Sequence, residues 1–280
     1  MPLPIDMIFV RHGESVGNVA SRTFKNTQDP SVYSDEFLEQ ASCRWQLTDN
    51  GHEQARLTGQ WLLEEFGDLG FGRYYCSPYD RTIQTARGLQ LPAGDKTEIW
   101  NLEDRLRERS HGDTEAISPA NMGDHFEINL KAQRQSPYYA RHPNGESYAD
   151  LVEGRVRNMF DTLARECSDM AVLFVTHGDY MNAVQMALER ITSIEWQKVK
   201  QEPDRKMWNC QVLHYSRKNP DTGEIDSRVN YRRTIRAWRE SGREKRIVAA
   251  RKGVDAWYDN TRTKYSNLGL EELLKAREAY

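Results

Sequence analysis

The chain predicts an α/β fold, a mostly parallel central sheet with helices on both faces. Three observations carry that reading. Short apolar runs alternate with longer helical patterns through residues 1–215, the arrangement of strands joined by crossover helices. The run in "MAVLFVTHGD" is unbroken by polar residues, as expected of a strand covered on both faces. At 280 residues and 38% hydrophobic content the chain is long enough to bury a real core.

The first strand is expected over Met7–Val10, in "IFVRHGESVGN", where apolar residues run straight into Arg11 and His12. Ligands of open α/β sheets sit beyond the carboxyl ends of the strands, so this strand delivers both side chains to that crevice. Residues 20–46 are polar with mixed patterning and break the alternation. Long irregular segments inside a domain are usually functional, and this one is expected to form a cap over the sheet. In "LTDNGHEQARLTGQWLLEEF", Thr48 caps a helix whose Ala55, Thr58, Trp61, Leu62 and Phe66 recur at helical spacing.

The strand Arg73–Cys76 leads into "SPYDRTIQTARGL", where Ser77 reads as the cap and Pro78 as the first helical residue. Arg81 then falls in the first turn, where the helix dipole and a planar guanidinium can both face an anion. The strand Thr97–Trp100 precedes Glu108 in "LEDRLRERSHGD"; by itself Glu108 reads as an ordinary surface carboxylate. Residues 113–143, with scattered Pro, Gly and aromatics, form the second expected cap segment. "GESYADLVEGRVRNMF" opens a helix with Ser147 and Asp150 at capping-box spacing. The strand Ala171–Thr176 delivers His177 and Gly178. Two His-Gly pairs, each behind an apolar strand, are hard to assign to packing.

Residues 216–280 differ from the rest, with 16 basic against 10 acidic residues in a chain whose formal net charge is −3. This extension is expected to hold a strand, a turn around Asn219–Gly223, a further extended or helical piece, charged helical segments and a short terminal helix in "LGLEELLKAREAY". Arg232, Arg236, Arg239, Arg243 and Arg246 lie at helical intervals. A solvated face and a contact with an anionic or protein partner both remain open for them. A homo-oligomer contact through the extension is a further expectation.

With 39 basic and 42 acidic residues, the whole-chain balance points to neither nucleic acid nor a membrane. The start, "MPLPIDMIFV", lacks a basic region followed by a signal-type apolar run. No apolar run approaches the ~20 residues of a membrane span. Cys43, Cys76, Cys167 and Cys210 are far apart and form no metal-ligand spacing. Reduced thiols and a cytoplasmic protein are the expectation.

Taken in order, "VRHGES" with Asn18, "LTDNGHEQA", "SPYDRTIQTA", "LRERSHG", "PNGES" and "FVTHG" resemble the motifs of the histidine phosphatase superfamily. That group contains the cofactor-dependent phosphoglycerate mutases and many phosphatases. The resemblance runs from about Ile5 to Tyr215 and implies a phosphoglycerate mutase-like fold. It implies His12 as the nucleophile that takes the phosphoryl group, with Arg11, Arg81 and His177 as a basic pocket around the phosphate. Ser15, Asn18 and the Gly178 N–H are implied as lesser phosphate contacts, and Glu108 as the general acid. The implied substrate is a small phosphorylated molecule, with no metal and no cofactor. A neutral imidazole attacks phosphorus while fixed cations spread the charge of the equatorial oxygens.

The chain departs from the mutases it resembles. They carry further basic residues after the acid, to hold a bisphosphoglycerate, and a His-Gly-Asn-Ser-type run at the second histidine. Here the text is "ERSHGDTEAISPANMGDH" and "THGDYMNAV", with acidic Asp113 and Glu115. The expectation is therefore a phosphomonoester hydrolase, with a mutase or a non-catalytic phosphate-binding module as alternatives. Phe126, Arg134, Tyr138, Tyr139 and Arg141 are expected in the wall that selects the substrate, the aromatics as cap core or as ligand stackers.

Overall fold

Alternating apolar residues in β1 (Asp6–Arg11) split the molecule into two cores. Met7 and Phe9 face one side, with Val172, Phe174, Leu213 and Tyr215; Ile8 and Val10 face the other, with Leu173, Val175 and Val212. A strand buried on both faces requires helices on both, and the chain supplies them. The computed structural model describes residues 1–67, 70–91, 100–115, 123–199, 206–241, 244–247 and 258–259.

In chain order β1 is followed by α1 (Val16–Thr27), α2 (Asp35–Glu39), α3 (Asp49–Phe66), β2 (Arg73–Cys76), α4 (Asp80–Gly88) and β3 (Trp100–Leu102). Next come α5 (Gly123–Gln135), α6 (Tyr148–Asp150), a π-helical stretch (Leu151–Val156), α7 (Arg157–Glu166), β4 (Ala171–Thr176), α8 (Gly178–Leu188) and α9 (Ser193–Val199). The remainder is β5 (Val212–Ser216), β6 (Tyr231–Ile235), β7 (Trp238–Ser241), β8 (Glu244–Ile247) and β9 (Tyr258–Asp259). The main sheet has the order β3-β2-β4-β1-β5-β6-β9. β1, β2, β3 and β4 pair parallel, whereas β5 runs antiparallel to β1, and β6 to β5. Five of the seven strands thus point the same way, and the sheet is mostly parallel. Residues of α3 and α4 cover one face, and those of α7 and α8 the other. No helix among the described residues is long and apolar enough to cross a membrane.

Most expected elements are present, and the departures have physical causes. The helix after Ser77-Pro78 begins at Asp80 with Tyr79 as its N-cap, because the Ser77 hydroxyl is engaged by His177 instead. Residues 20–46, read as irregular, contain most of α1, which Ser15 and Asn18 open with a reciprocal capping box. The described part of the third strand is Trp100–Leu102; Thr97, Glu98 and Ile99 of the expected span lie, with the rest of residues 92–99, outside the described ones.

In the extension, Arg232 belongs to β6, and Arg239 and Arg246 pair across the β7–β8 hairpin. The helical alternative therefore fails at these three: pairing of β6 with β5 and of β7 with β8 outweighs a side-chain periodicity that Gly242 already weakens. β6 adds a further strand to the sheet, and its Ile235 joins the core. Gly242, Arg243 and the expected terminal helix in residues 268–280 lie outside the described residues, as does the side chain of Phe126.

A close approach at the carboxyl end of β1 explains the glycines of "RHG" and "DNG". A Cβ on Gly13 would lie 2.5 Å from the Gly51 carbonyl oxygen, and one on Gly51 2.1 Å from that of Glu14. Both distances are far inside contact range and both neighbours are backbone. The first turn of α3 is thereby seated directly against the loop that carries His12.

Candidate active site

The parallel strands end at one rim of the sheet and deliver the expected residues to one place. The His12 and His177 rings, 165 positions apart in sequence, lie 5.2 Å apart between centroids at 60°. Between and beside them runs Arg81, whose Nε donates to His12 Nε2 at 3.2 Å while its Nη2 donates to His177 Nδ1 at 3.2 Å. Arg81 Nη1 donates to the Ser42 carbonyl at 2.7 Å.

The backbone fixes the state of His12. Its Nδ1–H donates to the Gly13 carbonyl at 2.7 Å, so the lone pair sits on Nε2, the atom facing Arg81. Burial, then Arg81 and Arg11, hold its pKa well below that of a free histidine, against the opposing pull of the Gly13 carbonyl. A neutral imidazole with Nε2 unprotonated is the nucleophilic form. The peptide around it is pinned by His12 N–H to Thr176 O at 2.9 Å, Gly13 N–H to Thr85 Oγ1 at 2.9 Å and Asn209 Nδ2 to His12 O at 3.1 Å. Burial, Arg81 and His12 likewise hold His177 neutral. Since Arg81 donates to its Nδ1, the Nε2–H donates to Ser77 Oγ, at 2.8 Å. His177 is thus a neutral side chain, not a cation, before an anion arrives.

Arg11 contributes charge from the end of β1. Its Nη1 donates to the Met207 carbonyl at 2.6 Å, and its Nε is buried without a hydrogen-bond partner among the described residues. A Cβ on Gly178 would lie 3.3 Å from that same Nε, so the second His-Gly pair leaves the donor uncrowded. A buried, unpaired guanidinium N–H is costly and marks where an acceptor belongs.

Ser15 and Asn18 are in the same neighbourhood, and the side-chain oxygens of both are engaged in the helix start. The Ser15 hydroxyl caps α1, and Asn18 Oδ1 accepts from Ser15 N–H at 3.2 Å and from Asn209 Nδ2 at 2.9 Å. Their visible work is to tie the start of α1 and the loop before β5 to the nucleophile.

Glu108 lies on the opposite side of Arg81, behind β3. Its Oε1 accepts from the main-chain N–H of Arg109 at 3.0 Å and of Asp179 at 3.2 Å. Burial and then the Asp179 charge push its pKa up, against Arg81 and His111. The loop carrying it is clamped by Arg155 from the π-helical stretch, which donates to the carbonyls of Arg107 at 2.7 Å and Glu108 at 3.1 Å. π-turns of this kind often mark functional sites. Sequence reasoning missed Arg155 and Asn209, which carry no local signal, and Ser77, which it took for a cap. Asp179, one residue beyond the second His-Gly pair, was within reach of the motif.

Pieces of both cap segments meet over the rim. Ser42, whose carbonyl holds Arg81, donates its hydroxyl to Glu115 Oε2 at 3.0 Å. Of the expected wall residues, Tyr138 packs against the core, Tyr139 is 63% exposed and Arg141 pairs with Asp150.

Arg81 addresses three acceptors at once from three separate nitrogens of a planar fork, a geometry that the single nitrogen of an ammonium does not reproduce. Arg81→Lys is expected to lower kcat/KM for a phosphomonoester by about 10²-fold, the typical cost of losing a preorganised donor, and to weaken competitive inhibition by inorganic phosphate. Steady-state kinetics check both.

A sheet whose parallel strands and the helix after β2 converge two histidines and two arginines on one rim defines an α/β protein with a basic site at the strand ends. The family model of the histidine phosphatase superfamily (branch 1) matches residues 7–221, and the chain belongs to that superfamily. It is 25% identical over 198 residues to 2,3-bisphosphoglycerate-dependent phosphoglycerate mutase 2 of Gloeobacter violaceus, covering 70% of this chain and 81% of that one. It is 28% identical over 206 residues to phosphoglycerate mutase-like protein AT74 of Arabidopsis thaliana, covering 70% of this chain and 58% of the plant protein. Among solved structures, a mycobacterial glucosyl-3-phosphoglycerate phosphatase complexed with VO3 superposes with a TM-score of 0.56 at 23% identity, covering 75% of this chain and 92% of that one. At that identity the likeness is one of fold.

Proposed function

We propose that the protein is a metal-independent phosphomonoester hydrolase working through a phosphohistidine on His12. The observation that carries this reading is the fixed tautomer of His12, whose unprotonated Nε2 points at Arg81 beside the unpaired Nε of Arg11. His12 Nε2 attacks phosphorus in line with the ester oxygen. The two guanidiniums meet the equatorial oxygens, joined by His177 once the charge of the phosphoryl group favours its protonated, donating form, and Glu108 protonates the departing oxygen. Glu108, now a carboxylate, then takes a proton from the water that attacks phospho-His12. Phosphate and free His12 are restored.

A non-catalytic phosphate-binding module would not need this set, and His12, Glu108 and His177 are all in place. A mutase has one observation in its favour, the likeness to a named mutase. Against it stands Glu115, which faces the cap over Arg81 where a second phosphate of a bisphosphate would need positive charge. The deciding experiment is a panel of small phosphomonoesters in EDTA, set beside a 3-phosphoglycerate assay with and without 2,3-bisphosphoglycerate. Phosphate release from the panel without bisphosphate supports the hydrolase. Turnover confined to phosphoglycerate and dependent on bisphosphate supports the mutase and overturns this reading. The four cysteines are free thiols, in keeping with the reducing cytoplasm we assign to the protein.

A further inference from the structure

Behind Glu108 lies a second polar cluster that the phosphoryl chemistry leaves unused. Asp179, at the start of α8, accepts from Arg109 Nε at 2.8 Å and from the Tyr148 hydroxyl at 2.7 Å, and lies 3.6 Å from His111 Nε2. The Arg109 guanidinium sits 4.6 Å from the centre of the Tyr148 ring. Burial pushes the Asp179 carboxyl up, but Arg109 and His111 outweigh it and hold the group ionised, well below the usual carboxylate range.

We propose that Asp179 is the positioning residue for Glu108: its main-chain N–H dictates which oxygen of Glu108 carries the transferable proton, and its clamped carboxylate opposes the loss of that proton. The inference rests on the reading of Glu108 as general acid.

The geometry argues it in two steps. Glu108 Oε1 accepts two main-chain N–H bonds, from Arg109 and Asp179. A carboxyl oxygen that accepts two donors is the carbonyl-like one, so the proton resides on Oε2. The second step is charge. Groups face Glu108 from every element packed on it: Arg81 from α4, Arg11 from β1, Arg109 and His111 on its own loop, Arg155 at its main-chain carbonyl, and Asp179 from α8. Arg81, His111 and the Arg109 N–H favour the ionised carboxylate, which is useless as an acid; burial and then Asp179 oppose them, and the protonated form gains. Asp179 is therefore the one anion in this set facing the acid. Two carboxyls share the cluster, one held ionised by Arg109 so that the other stays protonated.

The test is the pH dependence of kcat/KM for glycerol phosphate and for p-nitrophenyl phosphate, whose leaving group needs little protonation. Asp179→Asn keeps shape and N–H but removes the charge. With glycerol phosphate its alkaline limb is expected to move about one unit to lower pH, a loss of about tenfold at a fixed pH on that limb. The p-nitrophenyl phosphate rate should change little. Asp179→Glu, which keeps the charge, should restore most of the limb. A limb in Asp179→Asn that superimposes on the wild type overturns the proposal, and leaves the general-acid reading standing if Glu108→Gln is impaired in the same assay. An unimpaired Glu108→Gln overturns both. Should Asp179→Asn not fold, His111→Asn, on a side chain 39% exposed, removes a cation from the same cluster. Its limb is expected to move to higher pH, and an unmoved limb overturns the proposal.

Discussion

His12→Ala abolishes turnover, with a loss on the order of 10⁴- to 10⁶-fold in kcat, and no phosphoenzyme forms. The expectation follows from the position of one atom. Nδ1 is spent on the Gly13 carbonyl, so Nε2 is the nucleophilic nitrogen of that ring. His177 cannot replace it, since its Nδ1 accepts from Arg81 and its Nε2 is turned to Ser77. Removing the His12 ring leaves the Arg11 and Arg81 guanidiniums, and phosphate should still bind. The measurement is intact mass after rapid quench of enzyme turning over a phosphomonoester, beside phosphate binding by calorimetry. A phosphorylated His12→Ala protein, or one with wild-type rates, refutes the assignment of the nucleophile. Loss of activity together with loss of phosphate binding would locate the fault in folding of the rim, not in the chemistry.

The parts of this site that were legible in the sequence are those fixed by short-range rules. A strand that runs into His-Gly announces itself by its apolar run, and the capping residues of α3 and α6, Thr48 and Ser147, stand where local chemistry requires them. What stayed hidden depends on contacts distant in sequence. Arg155 lies in an amphipathic helical pattern like any surface arginine until the π-turn directs it at the 105–108 carbonyls. Ser77 has a good cap's identity and spacing, yet a histidine 100 residues away takes its hydroxyl. In the same way the arginines of the extension keep helical spacing in sequence, whereas pairing of β6 with β5 and of β7 with β8 decides the backbone of Arg232, Arg239 and Arg246. Ser15 and Asn18 show the converse: residues that the family motif assigns to phosphate are occupied, in the unliganded protein, in building the helix start beside it.

Glu108→Gln separates chemistry from binding, because the amide reproduces the acceptor and lacks the acid. Gln Oε1 can still take the N–H groups of Arg109 and Asp179 that hold Glu108, so the loop and the phosphate pocket should keep their shape. No proton can be transferred to the leaving oxygen, and kcat for an alkyl phosphate is expected to fall by ~10²–10⁴-fold. Affinity for inorganic phosphate should hold, since the amide keeps the neutral, hydrogen-bonded form that the raised pKa gives the acid. The pH profile gives the sharper reading. An unperturbed carboxyl would be ionised, and an unperturbed histidine still protonated, over much of the range where both are needed in the opposite state. Here burial and the arginines lower His12, while burial and Asp179 raise Glu108. The two groups thus move toward coexistence of free base and loaded acid. Activity should fall toward acid as His12 gains its proton, and toward alkali as Glu108 loses its own. Glu108→Gln should keep the first limb and flatten the second, at a lowered plateau, with a far smaller loss for p-nitrophenyl phosphate. An equal loss on both substrates at all pH values would mean that Glu108 supports the structure of the site and another group, or water, protonates the leaving oxygen.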